Sequence, residues 1–281
     1  MTVGHFDEVT AVTFDFGNTL VAVTRGGLRA VVDRTAEGVV EADPHVDRDA
    51  FLAVWAEERE RQFREEVPQF REVDLDQRLV RVFARLRGMA APPHDERWDQ
   101  DRAATFSAPS EVARAIDAYS RAFVEMLPPM PGAGQLLHDL ARERRIAILS
   151  NWPLAVTVDR YAEANGWSAA LTAIVVSQRV GTIKPHPAIF EAARVALGSP
   201  RSERILHVGD DWAADVVGAL DAGWRAAWLR NRTDDSPLPS SERDPTRSAD
   251  LELDELAELP AVLRGTARGP AQERGAAPSR G

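Results

Sequence analysis

Between residues 135 and 229 short apolar runs alternate with longer amphipathic stretches, and no other feature of the chain limits its fold so tightly. Residues 145–149 (RIAIL), 171–176 (LTAIVV), 204–208 (RILHV) and 225–229 (RAAWL) are apolar and too short to be buried helices. Residues 135–143, 154–165, 187–197 and 213–222 precede or separate them and read as helices, with Gly166 and Gly223 placed to stop two of them. Strands that alternate with helices build a parallel sheet from βαβ units. One further run, within residues 9–20 (VTAVTFDFGNTL), reads as a strand that ends at Asp15. It stands alone, far upstream, and can bury its apolar residues only by joining the same sheet.

The intervening stretch, 28–127, contains no convincing strand. Helices are expected over 28–40, 49–66, 74–87 and 110–127. The third is the clearest: Leu75, Leu79, Val82, Phe83 and Leu86 recur at helical spacing, Asp74 and Gln77 resemble a capping box, and Gly88 follows. Gly26 and Gly27 suggest a hinge at the entry to this stretch, and residues 89–100 a loop. The expected fold class is therefore α/β, a Rossmann-like parallel sheet core with an all-α domain inserted after its first strand. The core covers 1–27 and 128–264 and the insert 28–127. Residues 230–250, rich in Pro, Ser and Asp, read as a loop, 251–263 as a last helix or strand–helix piece, and 265–281 as a disordered tail.

Bulk composition removes several function classes. The net charge is −10, which argues against binding to nucleic acid or to an anionic membrane, since both need basic patches. There is no cysteine, hence no disulfide, thiol nucleophile or thiolate-bound metal. No secretory pattern or spanning apolar run is present, so the expected location is cytoplasmic. Of the 34 basic residues 33 are arginine, and the single lysine is Lys184. A compact ammonium suits a crowded phosphate site better than a planar guanidinium does.

Polar residues stand where strands end or in the loops beyond: Asp15, Ser150 with Asn151, the loop around Lys184, and Asp210 with Asp215. In an open α/β sheet such positions converge on one edge. Phosphoryl transfer needs this set: an oxygen nucleophile, a cation to offset the phosphate, donors to its oxygens and carboxylates to hold Mg²⁺. Gly209 permits close backbone approach beside Asp210.

The four segments resemble, in order, the four motifs of the haloacid dehalogenase (HAD) superfamily: FDFGNTL, ILSN, GTIKPHPAIF and HVGDDWAADVVGALDAG. The resemblance spans residues 9 to 230, and the helical insert falls where that family places a C1-type cap. It implies Asp15 as nucleophile and metal ligand, with the Gly17 carbonyl and Asp210 completing the protein ligands to Mg²⁺. Ser150, Asn151 and Lys184 would bind the substrate phosphate, Asp215 would support the site from behind, and Asp211 could share the metal. The implied activity is Mg²⁺-dependent phosphatase chemistry on a small phosphorylated metabolite through an aspartyl-phosphate. Nothing in the sequence speaks to oligomeric state.

One position departs from the pattern. Phosphatases of the family carry a second Asp two residues after the nucleophile, as general acid and base, and here that position is Gly17. General acid–base catalysis contributes roughly 10²–10⁴ in rate, so hydrolysis should be slow unless another group or the substrate supplies the proton. Candidate donors in the insert are His45, His94, Asp95 and Glu96. A Gly17→Asp substitution is expected to raise turnover. The alternatives are a weak or non-enzymatic protein that binds a phosphorylated ligand or partner, and a dehalogenase, against which the intact GDDWAAD stretch speaks. Schiff-base phosphonate chemistry is excluded by the lack of a second lysine.

Overall fold

A computed structural model describes residues 6–90, 102 and 104–265. Six strands form one sheet: β1 (Ala11–Phe14), β2 (Arg145–Ser150), β3 (Ala173–Val176), β4 (Ile205–Gly209), β5 (Arg225–Leu229) and β6 (Leu251–Leu253). Their order is β3-β2-β1-β4-β5-β6, and every neighbouring pair is parallel. All residues of β1 and β4 are buried, as expected of strands covered on both faces. β1 is central, with β2 and β3 added on one side and β4 to β6 on the other. Its carboxyl end is therefore the switch point outside which ligands bind in open sheets.

Among the described residues, the stretch after β1 holds the helices α1 (Arg25–Ala42), α2 (Arg48–Glu65), α3 (Leu75–Leu86) and α4 (Pro109–Met126), and one further helix, Ala133–Ala141, leads into β2. α1 packs along α4, and α2 against α3. The first three begin at side-chain caps. Thr24 accepts from the amide of Gly27, Asp47 from Ala50, and Asp74 from Asp76 and Gln77. Gly26 and Gly27 thus form the first turn of α1 rather than a hinge. The glycine also lets Leu127 pack close: a Cβ on Gly27 would lie 2.5 Å from Leu127 Cδ2, so that side chain would have to shift. Phe123 of α4 ties the helices to the sheet edge, with its ring 5.9 Å from Phe16, 5.1 Å from Trp152 and 5.8 Å from Tyr161.

Two other expectations are refined. The piece at 251–263 begins as β6 and continues as short helices, because Asp250 N bonds to Ala226 O and sets the register beside β5. The segment after β4 opens with a π-helix, Trp212–Val217, before a short α-helix at Gly218–Asp221. The site beyond β4 accounts for that wider turn. The expected tail lies outside the described residues apart from Gly265.

Candidate active site

Asp15 follows the last residue of β1, and its amide donates to Val208 O of β4 at 2.9 Å. Lys184 arrives from the loop after β3, its backbone held by Asn151. The Asn151 amide donates to Lys184 O at 3.1 Å and accepts from Lys184 N at 2.7 Å. The lysine ammonium then donates to Asp15 Oδ1 at 2.8 Å, Asp215 Oδ1 at 2.6 Å and Leu149 O at 2.9 Å, which uses all three of its protons. Lys184 is 2% exposed. Burial opposes its charge, yet the two carboxylates hold it above its ordinary value.

Asp215 is fully engaged. Its Oδ1 takes Lys184 and His207, and its Oδ2 takes the amide of Asp211 at 2.9 Å. Against the effect of burial, the Lys184 ammonium and the His207 hydrogen bond keep this carboxyl well below the usual range. The bonds draw Asp215 back over the end of β4, where a Cβ at Gly209 would collide with its carboxylate. Glycine is required there by that close approach. The π-helical turn delivers Asp215 to that spot, and such turns recur at functional sites.

His207 was not singled out by sequence, because it stands inside the apolar run RILHV. Register pairs it with Thr13 of β1. Nδ1 lies 2.8 Å from Thr13 Oγ1 and Nε2 lies 3.0 Å from Asp215 Oδ1. Burial lowers the imidazole's pKa and favours the neutral ring. An ionised Asp215 must receive a proton donor, so Nε2 carries the hydrogen and Nδ1 accepts from Thr13. Two polar residues one behind the other, in front of Asp15 and Asp210, were the available signal.

Asp15, Asp210 and Asp215 each offer an oxygen, and these oxygens all lie within 4.8 Å of one another, all buried. Burial raises Asp15, with Lys184 pulling against it. Burial, then the carboxylates of Asp15 and Asp215, pushes Asp210 up to about 8. No described residue bonds to Asp15 Oδ2 or Asp210 Oδ1. A hard, anionic, oxygen-only donor set with unengaged oxygens suits Mg²⁺. Asp211 stands outside this trio. Its carboxylate caps Ala214 N and accepts from Ser241 N and Oγ, so a share in a metal site is not supported. The Ser150 hydroxyl is buried without a partner among the described residues, free to meet a ligand oxygen. The Asn151 side chain holds the backbone of Lys184 and keeps one N–H of its amide beside the cavity it lines.

The loop between β5 and β6 folds back over the site, which composition alone did not reveal. Arg232 Nη1 donates to Asp210 Oδ2 at 2.8 Å, and Arg232 Nη2 donates to Leu238 O. Asn18 donates to Asp210 Oδ2 at 3.2 Å and to Ser236 Oγ at 2.9 Å. Leu238 fills the space beside Gly17: a Cβ there would lie 2.5 Å from Leu238 Cδ1 and 3.2 Å from the Trp152 ring. Where an acid is expected, an apolar side chain stands.

A cavity of about 350 Å³ runs from Asp15, Lys184 and Asp210 to the helices, where Trp55, Tyr119 and Arg78 line it. Trp152 is both buried and part of its wall. Of the proposed proton donors, His45 is exposed between α1 and α2 and does not line the cavity. His94, Asp95 and Glu96 lie outside the described residues.

A family model for haloacid dehalogenase-like hydrolases matches residues 9–223. The chain belongs to that family. Pyrimidine 5'-nucleotidase YjjG of Escherichia coli (strain K12) is 32% identical over 127 residues, 45% of this chain and 56% of that protein. The match thus spans little more than half of that relative's length. Among solved structures, the 2-haloacid dehalogenase from Pseudomonas syringae pv. Tomato DC3000 superposes with a TM-score of 0.63 at 22% identity, over 92% of this chain and all of that one. The putative HAD-hydrolase YfnB from Bacillus subtilis, bound to magnesium, gives 0.58 at 17% identity, over 91% and 98%. At these identities the structures show a shared fold. Among the described residues no helix is long and apolar enough to cross a membrane.

Proposed function

We propose that the chain is a phosphomonoester hydrolase that transfers the phosphoryl group of a small metabolite to Asp15 and then to water. The observation that carries this reading is Asp15 itself, buried at the switch point with a fully bonded ammonium 2.8 Å from one oxygen and Asp210 close by. In this reading the Asp15 carboxylate attacks phosphorus, the ester oxygen leaves, and water cleaves the resulting acyl phosphate. Lys184 offsets phosphate charge, and the Ser150 hydroxyl donates to a phosphoryl oxygen. Asp15, the Gly17 carbonyl and Asp210 would hold Mg²⁺, which supplies charge neutralisation at the phosphate. Asp215, tied up by three neighbours, orients Lys184. Residues 28–127 act as the cap that sets substrate choice. The nucleotidase relative supports phosphomonoester chemistry, and the three clustered carboxylates fit it better than halide displacement.

With leucine beside Gly17, the leaving group must depart with little help from the enzyme. Phosphates with acidic leaving groups, such as aryl or acyl phosphates, should be the better substrates. The test is hydrolysis of 4-nitrophenyl phosphate with Mg²⁺, with a chelator, and by Asp15→Asn. Turnover should require both the metal and Asp15. Hydrolysis that survives Asp15→Asn would remove the proposal, as would no turnover on this ester and on a broad phosphate panel.

A further inference from the structure

Arg78 of α3 is 4% exposed and lines the cavity. Its Nε donates to Gln62 Oε1 at 2.8 Å and its Nη2 to Val73 O at 3.3 Å, so most of its five donors are unused. The guanidinium sits over the Trp55 ring at 5.2 Å. Among the described residues no carboxylate comes within 4 Å of it. The nearby acids are committed elsewhere. Glu72 accepts from Ser177 Oγ and Val73 N, and burial favours its neutral form. Asp74 caps α3.

Arg59 of α2 lines the same cavity and lies over Phe63 at 4.8 Å, again with no carboxylate partner among the described residues. Its helix is rich in acids, yet most of these pair with other arginines. Glu57 and Glu58 bond Arg85, Glu58 and Glu65 bond Arg61, and Glu65 also meets Arg64. A buried cation is ordinarily paired, because the loss of hydration is otherwise uncompensated. Burial, with Arg59 adding to it, pushes Arg78 down to about 10, so its guanidinium stays charged at neutral pH. Two like charges held on one wall of a cavity, in a chain of net charge −10, are complementary to an anion.

We propose that Arg59 and Arg78 form a second anion subsite, and that the substrate's leaving group carries an anionic group of its own, a carboxylate or a second phosphate. The proposal rests on the reading of Asp15 only for which end of the substrate reacts. Trp55, over which the guanidinium of Arg78 is stacked, and Tyr119, its ring 6.2 Å from that of Trp55, supply the apolar flank.

Three probes share one ring and differ at its far end: phenyl phosphate, 4-carboxyphenyl phosphate and 1,4-phenylene bisphosphate. Their binding to the full-length Asp15→Asn protein with Mg²⁺ is measured by calorimetry, and their kcat/KM on the wild type by phosphate release. At least one doubly anionic probe should bind about tenfold or more tightly than phenyl phosphate. Which one does so distinguishes a carboxylate from a phosphate. In the Asp15→Asn background, adding Arg78→Gln or Arg59→Gln should narrow the ratio, and Arg78→Lys should restore part of it. Arg59 is half-exposed, so its variant tests the proposal even if the Arg78 variants fail to fold. Equal binding of all three probes, no binding of any, or a preference that survives both glutamine variants overturns it. Selective binding without wild-type turnover would instead remove the hydrolase reading and leave the subsite standing.

Discussion

A side chain at position 17 must displace Leu238, so the glycine answers to packing as well as to chemistry. Gly17→Asp alone should therefore add less than its missing acid suggests. Gly17→Asp with Leu238→Ala makes room, and should raise kcat on alkyl phosphomonoesters by up to about 10²-fold. If the folded double variant is no faster, another group already donates the proton. At His207 the cost is structural. His207→Phe removes a donor from Asp215 and a partner from Thr13, and should lower unfolding free energy by roughly 1–3 kcal/mol in urea melts. His207→Gln, which keeps a donor, should lose less. Asp15, Lys184, Asp210 and Asp215 were legible because each follows a strand or lies in a long motif. His207 was not, since a single polar residue inside an apolar strand looks like noise until register sets it beside Thr13.

The start of α3 shows how an element couples to pH. Asp74 caps the helix, and two residues on Asp76 accepts from Gln178 of the core at 3.1 Å. Burial, then the neighbouring Asp74 charge, pushes Asp76 up to about 6. An acid with a raised pKa binds its proton more tightly in the folded state. The stability this proton gives is present below the ordinary value near 4 and is lost as pH climbs through 6. Asp76→Asn should match wild type at pH 4 and exceed it by roughly 2 kcal/mol or less at pH 8, read from paired denaturation curves. Capping residues and apolar spacing made α3 visible in the sequence nearly to its boundaries. The π-helical turn after β4 was hidden, because its width is set by Asp215 reaching Lys184, a contact between segments far apart in the chain.

At the scale of the molecule, the sheet could be read from alternating periods, and the helical insert from the absence of any strand in it. The cavity and the loop across it could not, since a Pro- and Ser-rich stretch has no period to say where it folds back. That loop changes the charge of the site. With all three carboxylates ionised, as a bound metal requires, they sum with Lys184 and Arg232 to −1, where Lys184 alone would leave −2. Arg232→Gln should therefore tighten Mg²⁺ binding about tenfold by calorimetry, and unchanged or weaker binding would show that Arg232 supports the site rather than competes in it. The helices also close on the core through backbone bonds: Leu75 N donates to Pro153 O, and Ile183 N to Phe70 O. The lysine beneath them is the chain's one side-chain amine, 2% exposed and with every proton bonded. Amine-reactive dyes and crosslinkers should thus pass over every side chain of the folded protein. The appearance of a label at Lys184 would time the opening of the site from within, with no engineered reporter.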